Sequence, residues 1–142
     1  MTRDEVMEMT DDELRIKAAE LMGWKKLGEP KTIPVMGSPG HYIHLDLWWE
    51  RPDGRKEESP PDYPNDIAAA WPLTDRMMGR MSLLQMMMGE DGRLGICGWK
   101  FDDDGRTVWT LDAVGNDIAP RTITRAFILA MGDGREEAAD EV

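Results

Sequence analysis

The chain has 142 residues, a formal net charge of -11 and a single cysteine. That length suits one domain able to bury its own core, and one cysteine excludes an internal disulfide framework. No apolar run approaches the ~20 residues of a membrane span, and charge begins at the first residues, so the expectation is a cytoplasmic protein, neither exported nor embedded.

The charge is concentrated at the ends. Residues 1–14 contribute -5 and residues 133–142 contribute -4, leaving -2 for everything between. A field of this sign opposes long nucleic acid but leaves room for a small anion in a local arginine pocket.

In chain order, Thr10-Asp11-Asp12-Glu13 has the spacing of a capping box and predicts a helix over 11–22. Leu14, Ala18, Leu21 and Met22 form its apolar stripe, and Gly23 its stop. The segment 25–40 is broken by prolines and glycines and reads as loop, with an extended piece at 32–35. Aromatic and β-branched residues from His41 to Trp49 predict a strand, ended by the turn Arg51-Pro52-Asp53-Gly54. Residues 51–65 hold four prolines and read as a surface loop. Asn65 is placed to cap a helix beginning Asp66-Ile67-Ala68, with Pro72 expected to kink or end it after Trp71.

Residues 82–88, 94–101 and 106–111 alternate with Gly89-Glu90-Asp91-Gly92 and Asp102-Asp103-Asp104-Gly105, which predicts a three-stranded meander. Pro120 suits the first turn of a final helix over 120–131, with Ile123, Ala126, Phe127, Ala130 and Met131 on one face. The fold class expected is α+β: an antiparallel sheet containing 41–49 and the meander, with helices packed on it as a small α-β-β-α-type sandwich. One domain over 1–132 is expected to precede an acidic, disordered tail over 133–142.

Few residues gather into recognisable chemistry. His41, His44 and Asp46 have metal-ligand spacing only on a helix, and here they fall in a strand, so no metal is assigned. The Asp102–Gly105 run reads as a hairpin turn, and Cys97, between apolar neighbours, as a buried inert thiol. No nucleophile has a histidine base near it in sequence, so no enzyme activity, catalytic residue or cofactor is assigned. Arg121 and Arg125, four apart, share a helix face and form a two-pronged anion clamp, against the plainer alternative of a solvated face with local salt bridges. Trp24, Trp71 and Trp99 stand beside loops or element ends, where a ring can serve as a platform for a base.

Three segments, Met22-Gly23-Trp24, residues 61–71 (PDYPNDIAAAW) and residues 119–130 (APRTITRAFILA), together resemble the phage ABA-sandwich family of small prophage proteins. The positions carrying the resemblance are Trp24, then Tyr63, Asp66, Ile67, Ala70 and Trp71, then Ile123, Arg125 and Ala126. Size, the aromatic-rich sheet and the Arg121/Arg125 pair also make the chain similar to the Thoeris anti-defence sponge proteins of phages. That resemblance implies sequestration, without cleavage, of cyclic nucleotide immune signals: cyclic ADP-ribose isomers, cyclic oligonucleotides such as those of CBASS, or both. It further implies homo-oligomers built from dimers. On this reading Arg121 and Arg125 hold phosphates while one or more of Trp24, Tyr63, Trp99 and Phe101 stack on bases. The alternative of a different class is an interaction module that inhibits a host protein, motivated by the acidic ends.

Overall fold

The computed structural model describes residues 2–27, 31–45, 48–132 and 136–137. The elements run in order as helices α1 (Arg3–Glu8) and α2 (Asp11–Leu21), strands β1 (Lys25–Lys26), β2 (Lys31–Pro34), β3 (Tyr42–Leu45), β4 (Trp49–Glu50) and β5 (Lys56–Glu57), helix α3 (Ile67–Met78), strands β6 (Leu83–Met88), β7 (Arg93–Phe101) and β8 (Thr107–Ile118), helix α4 (Ala119–Met131) and strand β9 (Glu136–Glu137). Among the described residues all strand pairs are antiparallel, and the fold is α+β with helices packed on sheet. The chain divides into two compact units, residues 1–18 with 61–142, and residues 19–60.

The first unit is built on the meander. Its sheet has the order β6-β7-β8-β9, and the turn between β7 and β8 has a physical cause. The Asp102 carboxylate accepts from the amides of Asp104 and Arg106, each at 2.9 Å, and Gly105 takes the left-handed φ of +80° that the turn needs. One face of the sheet is apolar at Leu94, Ile96, Leu111 and Val114, all buried, and α4 packs against β7 and β8. Helix α4 is covered nearly all round: Ile123, Ala126, Phe127, Ile128, Leu129 and Ala130 are buried, as are Thr122 and Thr124. Its neighbours are α3 and α1. The β7–β8 pair comes close where Gly95 faces Gly115, and a methyl group on Gly115 would stand 2.6 Å from the Gly95 Cα.

Two capping boxes start the chain. Glu13 N–H donates to Thr10 Oγ1 at 3.2 Å and Thr10 N–H to the Glu13 carboxylate at 3.3 Å, as the spacing requires. Thr2 and Glu5 repeat the device for α1, which the sequence reading did not assign. Val6 is buried, and Arg3 donates to the Asp112 carbonyl at 3.1 Å.

The second unit holds two small sheets, β1-β4-β5 and β2-β3. The expected strand over 41–49 is therefore split into β3 and β4, which pair locally and not with the meander; residues 46–47 lie outside the described residues. The extended piece expected at 32–35 is β2, paired with β3.

Four further expectations need correction. Helix α3 passes through Pro72 to Met78. Pro72 has no amide to donate to the Ala68 carbonyl, but Ala68 and Pro72 are both exposed, where water can reach that carbonyl, while burial of Leu73, Thr74 and Met77 beyond the proline holds the helix. Its N-cap is Asp66, which accepts from Ala68 N–H at 3.0 Å, and not Asn65. Residues 51–65 are not all surface loop, since they include β5 and the buried Pro60, Tyr63 and Pro64. Within the tail, Glu136–Glu137 pairs with Trp109 and Thr110 as β9; residues 133–135 and 138–142 lie outside the described residues.

Candidate functional site

Strand β8 runs into α4 without a side-chain cap, so the carboxylate just before the helix, Asp117, is left to organise the junction. Asp117 Oδ1 accepts from the Ile118 amide at 2.7 Å and from Arg121 Nη1 at 2.9 Å, and Oδ2 accepts from Arg125 Nη1 at 2.9 Å. One carboxylate therefore bridges both guanidinium groups at a helix start, where the macrodipole also favours negative charge. Arg121 then reaches across to α2: its Nε and Nη2 meet the two oxygens of Asp11 at 2.9 and 3.0 Å, a bidentate fork, and Nη2 stands 3.5 Å from Asn65 Oδ1.

Charge and burial follow from this geometry. The hydrogen bond from Arg121 holds the Asp11 carboxyl below the usual carboxylate range and outweighs its partial burial. Burial pushes Asp117 up, but the Ile118 amide and the two arginines more than offset it, so its carboxyl also titrates low. The bond to Asp11 raises Arg121. The Arg121 and Arg125 side chains are 25% and 14% exposed, so they are less open than helix spacing alone implies. Arg125 Nε is buried and, among the described residues, has no hydrogen-bond partner. The cluster of two arginines and two aspartates is formally neutral.

The arginines are thus brought together as the sequence predicted, but the aromatic candidates are not gathered around them. Trp99 and Phe101 lie on β7, half-buried. Arg93 pairs with Ile118 beside the cluster and Trp99 pairs with Thr110, six residues along, roughly 20 Å away at the rise of a strand. Tyr63 is two residues from Asn65 but 3% exposed, so its ring is core. Trp24 is half-buried in the second unit, just after the Gly23 stop, where φ is +97°. Of the Trp residues singled out, Trp71 is the open one, at 57%.

Three members of the cluster escaped the sequence reading: Asp11, Asn65 and Asp117. Asp117 was legible, since it precedes Arg121 by four residues. Asp11 and Asn65 are 110 and 56 residues from Arg121, and no local pattern announces them. Cys97 is half-buried and not enclosed, its thiol 3.7 Å from Gln85 Oε1.

A second concave feature opens between the end of α3 and β6. It is a cleft of about 500 Å³ lined by Trp71, Thr74, Met78, Met81, Ser82, Leu83, Leu84 and Met86. Among the described residues no helix is long and apolar enough to cross a membrane, and no group of three His, Cys, Asp or Glu side chains is placed to hold a metal ion. No family model, curated protein or solved structure matches the chain.

Proposed function

We propose that this protein binds a small phosphate-bearing nucleotide and holds it intact, with Arg121 and Arg125 as the phosphate clamp. The observation that carries the reading is the shared carboxylate: two guanidinium groups four residues apart already grip one two-oxygen anion at 2.9 Å each. A phosphate offers the same acceptors with more charge, and the buried Arg125 Nε provides a further donor. Because the cluster is neutral, the ligand takes the place of the Asp117 carboxylate and does not add to it. The resemblance to phage sponge proteins supplies the ligand class, cyclic ADP-ribose isomers or cyclic oligonucleotides, and the biological role, sequestration of a bacterial immune signal.

Thermal melts of the intact protein with cyclic ADP-ribose isomers and cyclic dinucleotides test this, since a ligand of the native state raises the melting temperature. Chromatography of the ligand released by heating is expected to return it unaltered. A linearised product would make the protein an enzyme, and no shift with any member of the panel would remove the reading.

A further inference from the structure

We infer that β6 is the interface through which two copies of this chain pair, joining their main sheets edge to edge in antiparallel fashion. The inference is independent of the nucleotide reading.

The two edges of the main sheet are unlike. One ends in β9, a strand of two residues, and a very short edge strand offers little backbone for another chain to pair with. The other ends in β6, Leu83-Leu84-Gln85-Met86-Met87-Met88, which carries no charge and no proline. Its register against β7 runs unbroken from Leu83–Trp99 to Met88–Leu94, with no bulge to twist it away. Among the described residues no strand pairs with its outer side, so every second residue presents an unpaired amide and carbonyl there. Leu83, Met87 and Met88 are 51–66% exposed, and the neighbouring cleft adds the open Trp71 and Met78. Alternation puts Leu83 and Met87 on one face of the sheet and Met88 on the other, so this edge exposes apolar side chains on both faces.

The occupant is a second copy because the sequence of β6 is self-complementary about Gln85. With a two-fold axis there, Leu83 faces Met87 of the second copy, Leu84 faces Met86, and Gln85 faces itself. The pairs flanking the axis are then apolar–apolar, the central one sets a primary amide, both donor and acceptor, against its twin, and Met88 at the end faces Ser82. Charge argues the same way: with a net -11 per chain, two copies approach best where neither carries charge, and residues 81–89 carry none. The same closure covers the cleft beside β6.

Sedimentation velocity of the full chain at micromolar concentrations is expected to give a dimer or a multiple of it. Met86→Lys, which places two like charges across the new ladder, is expected to halve the mass while far-UV circular dichroism stays unchanged. Because a lysine variant can fail to fold, a second probe fixes the register directly. In a Cys97→Ser background, Gln85→Cys places two thiols opposite each other, where directly facing Cα atoms about 4.5–5.5 Å apart lie within disulfide reach. Mild oxidation should then give a covalent dimer, while Lys100→Cys in the same background should not. A wild-type chain that sediments as a monomer would overturn the inference, as would a dimer that persists in folded Met86→Lys and fails to cross-link at position 85.

Discussion

The beginning of α4 and the edge strand β6 present opposite chemistry. At α4 the polar groups have found partners within the chain: two arginines, two aspartates and an asparagine close on themselves, leaving one buried N–H over. At β6 the apolar groups have found none on the outer side among the described residues, and Leu83, Met87 and Met88 stand more than half exposed. Burying an ion obliges the chain to pair it, because an isolated buried charge is far more costly than exposed methylene surface. An apolar edge carries no such obligation, and it keeps its driving force for association. The comparison separates two kinds of surface: one where a ligand would have to displace an internal partner, and one where a partner would displace only water.

The largest expected effect calibrates both regions against the core. Phe127, fully buried on α4, is expected to cost about 3–5 kcal/mol of stability when changed to Ala, read by urea unfolding. A loss under about 1 kcal/mol would mean that α4 is not the centre of the packing. Arg125→Ala comes next. It removes a mostly buried cation from a shared carboxylate, so stability should fall by about 1–3 kcal/mol, more than the near-neutral change of a solvated helix face. Nucleotide affinity should also fall by about ten-fold or more, since ~1.4 kcal/mol is a factor of ten.

Acid titration probes the same cluster with a smaller effect. Asp11 and Asp117 have folded pKa values below their unfolded ones, so each adds stability that is full above the unfolded value of about 4 and is lost as pH falls through the lower folded value. Melting temperature should therefore drop on acidification below about pH 4, and the drop should be shallower in Asp117→Asn. Identical acid profiles for the two proteins would mean that Asp117 is not held by the arginines. The smallest effect belongs to the edge: Met87→Ser should change monomer stability by no more than about 0.5 kcal/mol, because its side chain is 57% exposed. A larger loss in dilute protein would show β6 to be core.

Local rules carried most of the first unit. The Thr10–Glu13 box, the two Asp/Gly turns and the Ile123–Phe127 stripe fall where 3.6- and 2-residue periodicities put them. Pro72 misled because propensity is local, whereas burial of Leu73 and Met77 is tertiary and overrides it. The strand over 41–49 misled because composition marks extended chain without naming its partner, and β3 and β4 take theirs from nearby. At the site, helix spacing placed Arg121 and Arg125 side by side but said nothing of what neutralises them. Asp11 reaches Arg121 only through the packing of α2, and the sequence distance between them hides the pair. The aromatic candidates were the least legible part, since Trp99 and Tyr63 differ in burial and position for reasons no single-strand pattern contains.

The most direct test of the phosphate clamp is isothermal titration of a cyclic dinucleotide and a cyclic ADP-ribose isomer into wild-type protein and Asp117→Asn. If phosphate occupies the place of the Asp117 carboxylate, removing that charge removes the competitor. At least one ligand should then bind the variant more tightly than wild type, with the salt dependence of a charge-assisted contact. Weaker or unchanged binding in a folded Asp117→Asn protein would contradict the account and leave Arg121 and Arg125 as structural ion pairs only.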